Sequence, residues 1–319
     1  MENRLSLAFK GMAMGMAEVI PGVSGGTIAF ITGIYEKLLL SIKAFGPGLI
    51  KTFRKEGLAG AWQEINGSFL TVLLIGMVMG IVVGVFGISY LLEAYPPAVW
   101  AFFFGLIVAS AIYVGRQIPK WRLQGIFALI IGVAVAYSIT VISPAEGSTS
   151  LVFVFLSGMI AISALILPGI SGSFMLLLMG MYTYIVSETL RAALTTLAPD
   201  KLLIIAVFAL GCLTGLMTVS RLLSWTFKHY KSVTLATLTG FMIGSLNKIW
   251  PWRNPIEWLR DQTGAIVLDD DGLPKKILLE ENVFPAGYDG DPLTLLVIVS
   301  MILGFAAVFL LERFGSTDK

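Results

Sequence analysis

Twice in this chain a proline–glycine pair breaks an apolar stretch and is followed at once by serine and glycine: "EVIPGVSGGTIAF" at 18–30 and "LILPGISGS" at 165–173. The surroundings of both breaks are those of a membrane protein. The chain is 56% hydrophobic and 13% charged, with a mean hydropathy of +0.86, whereas about 25% of a soluble domain is charged. Apolar runs near 70–92, 98–115, 123–142, 201–220, 232–246 and 293–311 approach or reach the roughly 20 residues that a helix needs to cross the bilayer. Main-chain polar groups cannot be left unpaired in hydrocarbon, so non-helical backbone at that depth must be buried in protein or line a water-filled cavity. The fold is therefore expected to be built around the two breaks.

The breaks belong to an internal repeat. An offset of 147 lays Gly11 on Gly158, Pro21-Gly22 on Pro168-Gly169, Ser24-Gly25 on Ser171-Gly172, Gly33 on Gly180 and Tyr35 on Tyr182. A second offset of 135 lays Gly76 on Gly211, Gly80 on Gly215, Tyr95 on Tyr230 and Gly105 on Gly240. The difference is absorbed by a polar loop at about 46–66. The expected fold is an all-α polytopic membrane protein of two repeats, each a re-entrant helical hairpin followed by three transmembrane helices. Residues 1–147 hold the hairpin 5–45 and helices 68–92, 98–117 and 123–142; residues 148–319 hold the hairpin 151–190 and helices 201–227, 232–249 and 293–312. Each half crosses the bilayer an odd number of times, so two in series must be inverted. Inverted repeats with broken helices near the midplane are a transporter architecture.

Charge placement sets the orientation. With both termini cytoplasmic, Arg4, Lys10, Lys51, Arg116, Lys120, Arg221, Lys231 and Lys319 fall inside with most other basic residues, as the positive-inside rule requires. The external loop 250–292 carries most of the rest; its "GAIVLDDDGLPKKILLEENVF" reads as a small β-hairpin or cap. Glu18 interrupts the first apolar run and no small-x-small site follows it before Pro21, so a retained N-terminus is expected.

A helix N-terminus offers unsatisfied N–H donors and partial positive charge, so an anion is its natural ligand. Restarting helices after the two turns assign phosphate or carboxylate binding to Gly22, Ser24, Gly25, Gly26 and Thr27 and to Gly169, Ser171, Gly172 and Ser173, brought together at one midplane site. The plainer alternative is that the glycines permit tight packing and the serines cap their own helices. Glu18, whose repeat counterpart is Leu165, reads as a coupling or gating group: a proton acceptor, a partner to a cation, or a hydrogen-bonding brace for a neighbouring loop. Arg221 either assists the phosphate, pairs with Glu18 or snorkels to the cytoplasmic interface. Lys248 offers a headgroup contact at the outer surface, or anchors an aromatic belt with Trp250 and Trp252. With one His and one Cys in the chain, neither a metal site nor a Ser-His-Asp arrangement is expected, and no cofactor or catalytic residue is assigned. A net charge of +2 gives no indication of nucleic acid.

The segments "AEVIPGVSGGT" at 17–27, "LILPGISGS" at 165–173 and "GSLNKIWPW" at 244–252 resemble the signature motifs of the bacterial polyprenyl-phosphate transporter (PopT-type) family. The resemblance covers nearly the whole chain. It implies a non-enzymatic flippase that returns undecaprenyl phosphate, the lipid carrier of cell-wall synthesis, from the outer to the inner leaflet of the cytoplasmic membrane. Alternating access, proton coupling through Glu18, and small-residue seams at Gly76, Gly80, Gly84, Gly211 and Gly215 fit that expectation. The rivals are a carrier or channel for a small inorganic anion, which needs no lipid-sized opening, and an enzyme acting on a lipid phosphate.

Overall fold

A computed structural model of the chain describes residues 3–20, 23–142, 144–145, 147–190, 198–256 and 280–316. Helix α1 (Arg4–Glu18) starts where the Asn3 side chain accepts the Leu5 N–H, and it ends ahead of the first proline. Two short helices follow, α2 (Gly25–Ile31) and α3 (Tyr35–Lys43), meeting at 117°. The stretch expected to be a polar loop is instead largely helical, α4 (Pro47–Glu64), broken at Gly57 with φ 67°. Pro47 suits a first helical turn, where its missing N–H is not needed.

Then come α5 (Gly67–Ala94), α6 (Pro96–Arg116) and α7 (Leu123–Val141). The second half runs α8 (Leu151–Ile166), α9 (Gly172–Leu178), a π-helical turn at Thr183–Thr189 and the long α10 (Pro199–Ser245). A short antiparallel pair, β1 (Arg253–Pro255) with β2 (Glu280–Asn282), precedes α11 (Thr294–Ser316). Most of the expected loop hairpin at 264–284 lies outside the described residues; the pairing seen is Asn254 opposite Glu281. Among the described residues four helices are long and apolar enough to cross a membrane, five if α2 and α3 count as one span.

The breaks between elements recur at matched positions. Tyr95, between α5 and α6, has φ −140° and ψ 52°; Tyr230, inside α10, has φ −138° and ψ 45°. Proline accounts for the first, since Pro96 disfavours the α conformation in the residue before it. Lys231 follows the second, so no proline constrains it.

Helix α1 packs along α5, and α8 along the first segment of α10. In both pairs glycines let one backbone lie on the other: a Cβ at Gly76 would strike the Ala8 carbonyl, and one at Gly211 the Phe155 carbonyl. The last helix of each half crosses over. Helix α7 packs on the second segment of α10, and α11 packs on α6. Gly132 faces the Thr237 carbonyl and Gly304 the Phe102 carbonyl, and the two carbonyl residues are again related by the 135 offset. The largest core cluster joins Ile20, Ile31 and Leu39 of the first hairpin to Ile107 of α6 and to Leu235 and Met242 of α10. The hairpin region is thus enclosed by helices of both halves.

Candidate functional site

The first turn supplies its own acceptors. Ser24 is extended, with φ −121° and ψ 132°, and N-caps α2 by accepting the Gly26 N–H at 3.0 Å. Glu18, at the end of α1, reaches across the turn, and its Oε1 accepts the Gly25 N–H at 2.8 Å. The Thr27 N–H goes to the Ser24 carbonyl at 3.0 Å. The donors at the start of α2 therefore already have partners. Gly22 lies outside the described residues.

The second turn locks onto the first. Gly169, at φ +85°, takes a conformation that side chains rarely adopt, and its N–H donates to Thr27 Oγ1 at 3.1 Å. Ser24 Oγ donates to the Leu165 carbonyl at 3.0 Å, and the Tyr35 hydroxyl to the Ile166 carbonyl at 3.1 Å. Ser171 caps α9 by accepting the Phe174 N–H at 3.4 Å, and its hydroxyl pairs with Ser173 Oγ at 2.9 Å. Gly172 begins α9 against the Ala161 carbonyl. Two segments some 140 residues apart thus meet through direct hydrogen bonds. Their hydroxyls are dry: Ser24 and Thr27 are 0% exposed and Ser171 2%.

The turns are closed as they stand. The cavity beside Gly169 and Ser171 measures about 10 Å³, room for a single water. Three of its lining residues, Thr140, Phe174 and Lys248, also line a cavity of about 280 Å³ that opens toward Asn247, Arg253 and Glu280. Lys248 therefore sits next to the second turn. Arg221 does not: it is exposed and its guanidinium lies against Gly46, where α3 gives way to α4. Nor does it pair with Glu18, whose carboxylate is engaged by Gly25.

Two further spaces frame this region. A cavity of about 620 Å³ near Lys231 is lined by Tyr35, Glu36, Tyr113, Arg116 and Glu312, with Lys231 Nζ 3.0 Å from Glu36 Oε1. Lys231 opens the second segment of α10 and Lys248 lies just past its end, so the two polar cavities stand at opposite ends of that segment. The third space is a groove of about 900 Å³ running beside Ala17 and Ile28 of the first hairpin, walled by Ile88, Phe102, Phe103 and Leu106 and bordered by Leu296 and Leu310. Its lining is almost wholly apolar. Among the described residues no group of three His, Cys, Asp or Glu residues is placed to hold a metal.

A family model described as VCA0040-like, undecaprenyl phosphate translocase-like, matches residues 14–267. The chain belongs to this family. A polyprenyl-phosphate transporter of Vibrio cholerae is 44% identical over 319 residues, covering 98% of this chain and 97% of its own length. A polyprenyl-phosphate transporter of Staphylococcus aureus is 32% identical over 256 residues, covering 76% of this chain and 84% of its own. No solved structure matches the chain.

In this translocase-like chain, sequence reasoning missed several residues that structure places at the site. Tyr35 braces the second turn, and the signal was present in its alignment with Tyr182 at the repeat offset. Arg253 and Glu280 reach the Lys248 cavity. They lie in the external loop read as a small β-hairpin or cap, and nothing in the sequence pairs two loop residues 27 positions apart.

Proposed function

We propose that this chain carries undecaprenyl phosphate from the outer to the inner leaflet of the bacterial cytoplasmic membrane, with both termini in the cytoplasm. The apolar groove beside the interlocked turns carries the reading. A phosphorylated polyprenol needs a dry polar site for its head and an apolar path for its chain, and the groove meets the first hairpin at Ala17 and Ile28. A small inorganic anion would need the turns and have no use for the groove. The names of the two relatives support the same cargo.

The head is held, on this reading, between the Ser24–Thr27 and Gly169–Ser173 turns after they separate. The contacts that recur between residues 1–147 and 148–319 support two inverted halves that expose this site alternately. Glu18 occupies the Gly25 N–H while the phosphate is away, and protonation of its carboxylate would weaken that charge-assisted hydrogen bond and ease its displacement by phosphate, which would couple carrier movement to protons. Arg221, placed at Gly46, is left to the cytoplasmic surface. The test is to follow undecaprenyl phosphate on the outer surface of cells with and without the protein, in a background free of paralogues. Accumulation in its absence is expected. Unchanged exposure would refute the proposal.

A further inference from the structure

The cavity around Lys248 has the makings of a binding site already occupied by the protein itself. Lys248 Nζ and Arg253 Nη1 converge on one oxygen, Glu280 Oε2, at 3.5 and 2.6 Å. The two cationic side chains are only 10% and 7% exposed, whereas the carboxylate is 23% exposed and enters from β2. Both cations are held independently of that carboxylate. The Arg253 guanidinium lies over the Trp100 ring at 4.1 Å and donates to the Lys248 carbonyl at 2.8 Å; the Lys248 ammonium lies over the Phe174 ring at 5.0 Å.

On the described cavity wall the buried Lys248 and Arg253 face the Glu280 carboxylate, and Glu281 is exposed to water. The Arg253 Nε is buried with no hydrogen-bond partner among the described residues, a state that is costly for a charged donor. A doubly charged anion with three acceptor oxygens would satisfy the Arg253 guanidinium more fully than a carboxylate bound at one Nη, and the planar guanidinium fork matches phosphate geometry. Asn247, Asn282 and Thr140 add neutral polar groups to the wall, joined by hydrogen bonds of 2.8 Å from Asn282 to Asn247 and from Asn247 to Thr140. A cavity of about 280 Å³ has room for such a head.

We propose that Lys248 and Arg253 form the outer capture site for a phosphomonoester head, and that Glu280 is a built-in anion which holds the two cations until the phosphate displaces it. This rests on the lipid-phosphate reading above and adds to it a first station on the path. Location supports the assignment. Lys248, Phe174 and Thr140 stand between this cavity and the gap beside Gly169 and Ser171, so a head released by the cations is next to the second turn. A purely structural ion pair tying β2 to the end of α10 is the competing account, and it makes the opposite prediction for the carboxylate.

The test uses the full chain in lipid nanodiscs, with farnesyl monophosphate, inorganic phosphate and farnesol as probes in equilibrium binding, and thermal unfolding as a check on folding. Glu280→Gln is expected to bind farnesyl monophosphate several-fold tighter than wild type, because the competing charge is gone. Lys248→Gln and Arg253→Gln should each weaken it on the order of tenfold or more, the scale of one lost charge-assisted hydrogen bond. Arg253→Lys, which keeps the charge but loses the fork, should fall between them and wild type, and this variant preserves the test if Arg253→Gln does not fold. Farnesol should not compete. Equal or weaker binding by Glu280→Gln, or unchanged binding by both cation variants, overturns the capture site while leaving transport standing. Displacement of farnesyl monophosphate by inorganic phosphate at equal concentration would reassign the site to free phosphate and overturn the lipid assignment. Absence of farnesyl monophosphate binding by wild type and every variant would overturn the transport reading together with it.

Discussion

Glu18 can be tested in a way that separates the cap seen in the structure from the coupling proposed for it, because capping needs only an acceptor oxygen and coupling needs a proton-binding carboxylate. Its Oε1 accepts the Gly25 N–H at 2.8 Å, and Gly25 is itself buried. Replacing Glu18 by Ala strands that donor at the start of α2, at a cost of about 1–3 kcal/mol for a buried group left unsatisfied. Replacing it by Gln keeps an amide oxygen in the same reach and should change stability by no more than about 0.5 kcal/mol, the scale of an uneventful substitution. Gly25→Ala approaches the same contact from the other side, since its new Cβ would stand 2.7 Å from Glu18 Oε1. The measurements are thermal unfolding of the purified protein and recycling of undecaprenyl phosphate in cells. The expected pattern is a destabilised Glu18→Ala, a stable Glu18→Gln, and loss of recycling in both. Equal stability of the Ala and Gln variants would refute the cap, and full recycling by Glu18→Gln would refute proton coupling through this residue.

Four other outcomes follow from the structure. Gly76→Ala should destabilise the α1–α5 pair by about 1–3 kcal/mol, the usual scale of overpacking, because its Cβ meets the Ala8 carbonyl, whereas Gly87→Ala, with nothing within 4 Å, should be neutral or slightly stabilising in thermal unfolding. Tyr35→Phe leaves the buried Ile166 carbonyl without its hydroxyl partner and should cost about 0.5–1.5 kcal/mol; a double-mutant cycle with Thr27→Val should be non-additive, since both residues brace the second turn. Leu296→Trp, on the exposed lip of the apolar groove, should slow carrier recycling while leaving farnesyl monophosphate binding at the outer cavity near wild type. Burial lowers the Lys248 pKa and Glu280 opposes that fall; the ammonium is the binding form, so affinity is retained below its pKa and lost as pH rises through it, and in Glu280→Gln that loss should begin at a lower pH than in wild type, read from binding constants across a pH series.

The sequence by itself determined where the apolar helical runs lie and where they break, though not that 47–64 would be helical. Apolar runs of spanning length, Pro21-Gly22 and Pro168-Gly169 as stops, and Ser24 and Ser171 as caps are local properties. Backbone hydrogen bonding enforces them whatever the surroundings. The matched glycine spacing was legible for a related reason: at positions such as Gly76 and Gly211 a side chain would strike the neighbouring backbone. Partner choice was not legible. These helices are apolar on every side, so hydrophobic periodicity does not say which face meets which helix. Only the folded chain decides that α7 and α11 cross to the opposite half, that Glu18 turns to Gly25 and Arg221 to Gly46, and that Thr27 reaches Gly169. The meeting of Lys248 and Arg253 at Glu280 is of the same kind. It depends on a loop returning to a helix end, and charge attraction acts on distance in space, which sequence separation does not record.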